Sequence, residues 1–348
     1  MDIFRNIGIV SVICGLSQNS PLLRTDVSYC SFTLVKSFWT FVFFFKFIKN
    51  STREDLILFD NRKAALVGLL FLPLLAGRTV IYDMRELYRC ESSNSLRNKI
   101  GTYIESCFLR FVDLVLCASV ERVKLVRFLY KLRAKLVAIE NNRRMDPGIH
   151  TMLSQEVVAS YEEAIAGKNR SGRKVNFVST DGFSEGRRSV DIIEACAGLR
   201  NDVNLFIFGK NQREAKTYIA ENSIDNVFHL GAVDGHVLGS LLRKMDVGIV
   251  AYGSGDLNNK YCASGKIYEF LHLGIPVVTS DNPPLRKFTR NTGAGVSNEN
   301  IRDGIIEIMK KLDRYKQQCD KFSRAMRVSD FEQERSKEIL NYLRNIER

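Results

Sequence analysis

Tyr261-Cys-Ala-Ser-Gly-Lys266-Ile-Tyr-Glu269-Phe-Leu-His-Leu-Gly274-Ile-Pro276-Val-Val-Thr-Ser-Asp281 reads as a polar loop, a short helix, a tight stop and a buried strand. Ser264 stands where an N-cap belongs, Ile267, Phe270 and Leu271 repeat at helical spacing, Gly274 ends the helix, and Pro276 opens the apolar strand Val277 to Thr279. Lys266 and Glu269 are three apart and share one helix face. The first N–H groups of a helix lack partners and carry the positive end of the macrodipole, so this start favours an anion, and Lys266 adds a full charge. Glu269, one turn deeper, suits hydrogen bonds from a vicinal diol such as a ribose. On spacing alone two readings stand: a grip on a nucleotide diphosphate and its ribose, or an amphipathic crossover helix with an exposed Lys–Glu pair.

The segment resembles the donor-binding signature of retaining glycosyltransferases with the GT-B fold, above all family 4 (group 1), whose members often carry Ser-Pro-x-Lys-x-x-Glu-x-x-x-x-Gly-x-Pro-Val-Val. Here the run is Ala263-Ser264-Gly265-Lys266-Ile-Tyr-Glu269, then Gly274-Ile-Pro276-Val-Val278. The resemblance implies that Lys266 meets the donor's diphosphate and Glu269 its ribose, with Ser264 and Gly265 at the helix start beside them. Many members have an acid eight positions before that Glu, touching the transferred sugar; this chain has Tyr261 there, which leaves the sugar contact open.

A chain of 348 residues holds two domains of ordinary size. With 45% hydrophobic and 26% charged residues it is a globular composition, and the net charge of +12 points to anionic partners. Nucleic acid is set aside, because no binding motif is present and the bases are scattered. The eight cysteines form no C-x-x-C pair and mostly fall in apolar runs, as reduced core thiols do, which argues against a zinc site or a disulfide framework.

Ile7–Cys14 fits a first buried strand better than a signal peptide, with no small-residue cleavage box after it; Val27–Val35 is a second strand candidate. Ser37–Lys49 crowds seven aromatic residues into under four turns, too short to span a bilayer, and reads either as a helix packed on its own sheet or as one lying on a membrane surface. Asp55–Phe59 is a strand, Ala64–Ala76 a helix containing Pro73, and Thr79–Tyr82 a strand ending in Asp83-Met-Arg85-Glu86. Ligands of open α/β sheets gather beyond the carboxyl ends of strands, where these charges fall. This stretch is similar to the family's Tyr-Asp-x-His-Glu segment, with Arg85 in place of the cleft His; Arg keeps a donor and a fixed charge but moves no proton at neutral pH. Helices are expected over Lys99–Arg110, which carries Glu105, and Val120–Leu132, with a strand at Val112–Ser119 between them. Val137–Asn142 reads as the last strand of the first domain, running into Asn141, which the resemblance puts at the domain junction.

A glycine- and base-rich loop at 167–174 follows a charged helix over Met152–Ala166, and a second strand–helix series opens at Val175–Ser179. The loop at 180–185, with Gly182, runs into a helix entry over Gly186–Ala195; it resembles the family's Gly-x-x-x-x-x-(Lys/Arg)-Gly segment, which assigns Arg187 to the donor diphosphate and leaves Arg188 where Gly is usual, and a solvated pair of arginines is the plain alternative. Val203–Gly209 and Asn226–Val233 are strands, the latter similar to the one whose loop, Gly231 to Val233, meets the nucleotide base through its backbone. His229 reads as a packed strand residue. Leu238–Met245, Ile301–Leu312 and Phe331–Ile346 are read as helices and Asp246–Tyr252 as a strand.

The expected architecture is α/β, GT-B: two doubly wound Rossmann-like domains facing a central cleft, with residues 1–150 on the acceptor side, 151–174 a linker, 175–330 binding the nucleotide sugar, and 331–348 a helix packing back on the first domain. The resemblance covers most of residues 50–290. It implies transfer of a sugar from a UDP-, GDP- or dTDP-sugar to a saccharide or lipid-linked hydroxyl, with retention, in surface polysaccharide or glycolipid synthesis. No metal or other cofactor is expected: Lys266 and Arg187 hold the leaving diphosphate, and Asp83, Arg85 and Glu86 meet acceptor or sugar. The expected location is cytoplasmic, peripheral on the membrane if Ser37–Lys49 lies on it. A nucleotide-sugar 2-epimerase and a non-catalytic GT-B-like subunit are the alternatives; the four scattered His weigh against the first, and Tyr261 and Arg85 motivate the second.

Overall fold

The computed structural model describes residues 11–15, 27–31, 45, 48–49, 56–88, 96–141, 152–168, 174–262, 264–328, 337, 339 and 341–342. The chain divides into two compact units, residues 1–140 with 330–348, and residues 141–329. Of the aromatic run at Ser37–Lys49 only Phe45, Ile48 and Lys49 are described, all helical, with Ile48 fully buried; the rest of that reading lies outside the described residues. Among the described residues no helix is long and apolar enough to cross a membrane. Among the described residues Cys117, Cys196, Cys262 and Cys319 are buried and belong to no disulfide.

The first unit is built on a parallel sheet, in the order β2-β1-β3-β4-β5-β6. Its strands are β1 (Ser11–Gly15), β2 (Val27–Ser31), β3 (Leu56–Asp60), β4 (Thr79–Met84), β5 (Leu114–Cys117) and β6 (Lys135–Ala138). The described side chains of the central strands are buried almost throughout, as strands covered on both faces require. The helix expected over Ala64–Ala76 is two, α1 (Asn61–Leu70) and α2 (Leu72–Leu75), broken at Phe71. Pro73 has no N–H to give the preceding turn, and its ring conflicts with the carbonyl four residues back, so the helix restarts with Pro73 in the first turn of α2. Next come α3 (Leu96–Phe108) and α4 (Val120–Tyr130), the latter capped by the Ser119 hydroxyl, which accepts from the Arg122 N–H at 3.1 Å.

Ile339, fully buried, joins Leu56, Leu58, Ile81, Leu114, Leu116 and Val137 in one core cluster, and Tyr342 donates to the Asp113 carbonyl at 2.9 Å. Removing most of such a side chain leaves a cavity, so Ile339→Ala should cost about 2–4 kcal/mol, read as a lower midpoint in urea.

The second unit holds another parallel sheet, ordered β12-β11-β10-β7-β8-β9, with β7 (Val175–Ser179), β8 (Val203–Phe208), β9 (Val227–Gly231), β10 (Val247–Val250), β11 (Val277–Thr279) and β12 (Gly295–Ser297). Counted within the unit this is the 3-2-1-4-5-6 order of a doubly wound fold, whose direction of winding reverses between β7 and β10. Its helices are α5 (Met152–Lys168), α6 (Ser189–Ala197), α7 (Gln212–Glu221), α8 (Gly235–Leu242), α9 (Leu257–Lys260), α10 (Gly265–His272), α11 (Pro283–Thr292), α12 (Ile301–Lys310) and α13 (Leu312–Val328). Helix α5 lies inside the stretch read as linker, and its Ile165 is buried in the core of this unit. Helix α13 was not expected, although Leu312, Tyr315, Cys319, Phe322 and Met326 recur at helical spacing along it and Cys319 is fully buried.

Helix α10 begins and ends where the sequence places it. At its end Gly274 adopts φ +76°, its N–H bonds the Leu271 carbonyl and the Ile275 N–H bonds the Phe270 carbonyl, a Schellman closure open to glycine at little cost. Helix and sheet approach closely because Gly248 of β10 has no side chain: a Cβ there would lie 2.5 Å from the ring of Phe270.

Candidate functional site

In doubly wound sheets ligands bind where the winding reverses, which in this unit lies between the loops that leave β7 and β10. The β7 loop carries Thr180, Asp181 and Gly182; the β10 side carries Tyr252 and leads to α10. The Lys266 ammonium donates to the Asp181 carboxylate at 2.7 Å and to the Thr180 carbonyl at 2.5 Å. Arg187, closing a single 3₁₀ turn (Glu185–Arg187), brings Nε to 3.4 Å from the same carboxylate oxygen and lays its guanidinium over the Tyr252 ring, 4.0 Å from the centroid. Its Nη1 is buried without a hydrogen-bond partner among the described residues. Asp181 is 7% exposed, against 27% for Lys266 and 33% for Arg187, so a shielded carboxylate sits beneath two part-exposed cations.

The backbone holds this arrangement still. Gly182 (φ +69°) and Gly209 (φ +130°) bring two loops into contact: a Cβ on Gly182 would lie 2.5 Å from the Lys210 carbonyl oxygen and 2.6 Å from its nitrogen. Gly182 N–H bonds the Phe208 carbonyl and Phe183 N–H that of Lys210, while Asn211 Nδ2 reaches the Phe183 carbonyl at 2.8 Å. The helix expected from Gly186 starts instead at Ser189, because Arg188 is left-handed (φ 51°), a conformation that suits the glycine usual there in the resembled segment. Arg188 is held by Asp191 at 2.7 Å and Glu299 at 3.0 Å, so the adjacent arginines divide: Arg187 turns to Asp181 and Tyr252, and Arg188 ties down a helix start.

Ser264 occupies the N-cap position in extended conformation, but its side chain makes no capping bond to α10, so the hydroxyl does not occupy the helix's orphan donors. Gly265 is the first helical residue and half-buried Glu269 lies one turn beyond. Gly231 (φ +87°) ends β9; its carbonyl accepts from Gly209 N–H at 2.8 Å and its own N–H donates to His229 Nδ1 at 3.1 Å, which accounts for His229 as a buried strand residue. Val233 packs on the core of the unit, and half-buried Tyr261 closes α9. Asn141 is exposed and is the first residue of the second unit.

In the first unit the charges gather at the carboxyl ends of β3 and β4. Arg85 Nη2 lies 2.8 Å from Asp60 and its Nε 3.5 Å from Asp83; Glu86 accepts from the Tyr88 hydroxyl at 2.7 Å; and Arg122 donates to the Arg85 carbonyl. Burial pushes the Asp60 carboxyl up to about 6, Arg85 pulling it back and Asp83 adding to it; burial likewise raises Asp83 against the pull of Arg85. Behind them the Tyr82 hydroxyl donates to Glu105 at 2.5 Å, with Glu105 only 1% exposed. Burial pushes Glu105 up to about 7, while the Tyr82 bond and Arg62 pull it down and Glu86 raises it.

Because the folded Glu105 holds its proton more tightly than the unfolded carboxyl, at 4.5, its cost to stability is absent below about pH 4.5, grows through about 7 and stays constant above. Glu105→Gln keeps an acceptor for Tyr82 and removes that cost. Its melting temperature should overtake the parent's as pH rises from 5 to 7.5, by the equivalent of about 1 kcal/mol or more. Asp60 acts in the same direction and leaves a smaller slope in the variant.

The sequence reading missed Asp181, Asp60, Tyr252 and the Tyr82–Glu105 pair. For Asp181 and Asp60 a signal existed, since each lies at or just past the end of a strand, beside the place where its sheet reverses winding.

No protein-family profile matches the chain, and no curated relative does. Solved structures do. HepE of Anabaena, in complex with UDP, superposes with a TM-score of 0.73 at 13% identity over 97% of this chain and 100% of that one. Sucrose-phosphate synthase of Thermosynechococcus elongatus gives 0.73 at 14%, over 99% and 90%. A glycosyltransferase from Rickettsia africae gives 0.68 at 14%, over 98% and 91%. The fold is therefore GT-B, with a Rossmann-like sheet in each unit.

Proposed function

We propose that this GT-B chain is a retaining glycosyltransferase of the family 4 kind, and that the crevice of its second unit takes the diphosphate of a nucleotide sugar. One observation carries the reading. Lys266 at the start of α10 and Arg187 in the loop after β7, on opposite sides of the winding reversal, converge on one shielded carboxylate, with a buried Arg187 N–H left unpartnered among the described residues. HepE, which shares the fold, has been solved with UDP and with UDP-glucose, which supports a nucleotide sugar as ligand.

When the bond between sugar and diphosphate breaks, negative charge grows on the departing phosphate. Two positioned cations and the start of α10 stabilise that charge more than the ground state, which lowers the barrier without a metal. The Arg187 guanidinium is oriented by the Tyr252 ring, so little reorganisation is needed. Glu269 receives the ribose, Gly231 and Val233 the base, and Tyr261 stands beside the sugar. On the acceptor side we assign Asp83, Arg85 and Glu86, with Asn141 at the junction. Arg85 supplies a fixed positive charge that cannot shuttle protons, so it orients hydroxyls. The acceptor is a saccharide or lipid-linked hydroxyl, met in the cytoplasm or at the membrane face through Ser37–Lys49.

The test is a screen of UDP-, GDP- and dTDP-sugars by thermal shift, followed by donor turnover with the sugar that stabilises most. A matched donor at a hundred times its Kd should raise stability by about 2.7 kcal/mol. If no nucleotide sugar shifts the melting temperature, the reading fails. The carboxylate bound to both cations favours a second reading, a GT-B-like subunit that binds a nucleotide without transferring from it; binding with no turnover would establish that one.

A further inference from the structure

Asp181 is an unusual neighbour for an anion site, because both cations the donor needs are already bonded to a carboxylate of the chain itself. Its backbone is pinned: Gly182 and Phe183 are hydrogen-bonded to Phe208 and Lys210, and the Gly182–Gly209 contact leaves no room for the loop to shift inward. Asp181 therefore stays within reach of whatever binds Lys266 and Arg187. The three side chains sum to +1, two cations less one carboxylate, not +2.

That difference distinguishes two ligands of the same site. A sugar ester of a nucleoside diphosphate carries a charge of about −2, whereas the free diphosphate approaches −3, its terminal phosphate losing a second proton near pH 6. The added charge falls on the phosphate that carried the sugar, the group Lys266 and Arg187 hold. A fixed carboxylate beside those cations repels it, and being shielded from water it does so with little screening.

Resting on the donor reading above, we propose that Asp181 sets the site's preference between donor and spent donor. It holds Lys266 and Arg187 in place when the site is empty and, once sugar has left, its charge weakens the grip on the free diphosphate so that the product is discharged. Asp181 is a specificity-determining residue in this scheme and touches no reacting atom.

Asp181→Asn tests this directly, because Asn keeps an acceptor for Lys266 and loses only the charge. Affinities of UDP, GDP and dTDP, and of UDP-glucose, GDP-mannose and dTDP-glucose, are measured by calorimetry on the full chain for wild type, Asp181→Asn and Lys266→Ala. Asp181→Asn should tighten the free diphosphate more than its sugar ester, moving their ratio of Kd values by about tenfold, the effect of one unit of charge several Å away at an intermediate dielectric. Under turnover the same variant should show stronger product inhibition and a lower kcat at nearly unchanged KM for the donor. A residue that merely positions Lys266 would instead weaken both ligands together. That result, or an unchanged ratio, overturns the inference while wild-type binding lost in Lys266→Ala keeps the donor reading. If wild type binds none of these six ligands, both fall. Asp181→Ser, a second neutral substitution, supplies the ratio should the Asn variant fail to fold.

Discussion

Lys266→Ala is expected to lower donor turnover by about a thousandfold, the loss associated with removing one preorganised contact to charge that develops in the transition state. The size follows from position. Lys266 is the second residue of α10, where its charge adds to the helix macrodipole, and its ammonium sits 2.7 Å from a shielded carboxylate that fixes its direction before any ligand arrives. Stability should change far less, by about 1–2 kcal/mol, because Lys266 is part-exposed and Arg187 remains as a counter-charge for Asp181. A variant that melts within a few degrees of the parent yet neither binds nor turns over a nucleotide sugar is the expected result. Turnover within tenfold of wild type would remove Lys266 from the site. Lys266→Arg should recover only part of the activity, since a planar fork does not reproduce a compact ammonium.

Gly182→Ala should disable the site by a different route. The residue is left-handed at φ +69°, and the added methyl would meet backbone atoms of Lys210 at 2.5 and 2.6 Å, which no rotamer change relieves. Conformational strain and the clash together predict a loss of about 3 kcal/mol. Because the β7 loop must then move away from Gly209, Asp181 is displaced and nucleotide binding falls with stability. Gly235→Ala is the control: nothing among the described residues lies within 4 Å of a Cβ there, so it should leave both nearly unchanged.

Most of the parallel sheet and its crossover helices were legible in the sequence, because strands buried on both faces announce themselves as short apolar runs between glycines and polar loops. β8 and β10 are clear instances. Helix α10 was legible to within a residue, since its stop depends on one glycine whose conformation few other residues share. Helix boundaries set by local chemistry of another kind were not. The break at Phe71 follows from Pro73, but periodicity runs through it; the start of α6 depends on Arg188 entering a left-handed conformation that ion pairs from Asp191 and Glu299 support. The site was half-legible. Lys266 and Arg187 carry the charge a diphosphate demands and could be named from sequence, whereas Asp181 earns its meaning only from being 85 residues away from Lys266 in the chain and 2.7 Å away in space. Tyr252 was read only as the end of an apolar strand and proves to be the surface on which Arg187 rests.

The placement of Ile339 against β3, β4, β5 and β6 has a consequence for how the protein is made. A ribosome delivers those strands early but supplies Ile339 and Tyr342 only after all of residues 141–329 have emerged, so during synthesis the first sheet waits with one apolar face uncovered. The later-synthesised unit, contiguous in sequence, has no such debt to the future and is able to complete its own core first. Nascent chains stalled just before residue 330 should therefore engage chaperones through residues 1–140, and emergence of residues 330–348 should end that dependence.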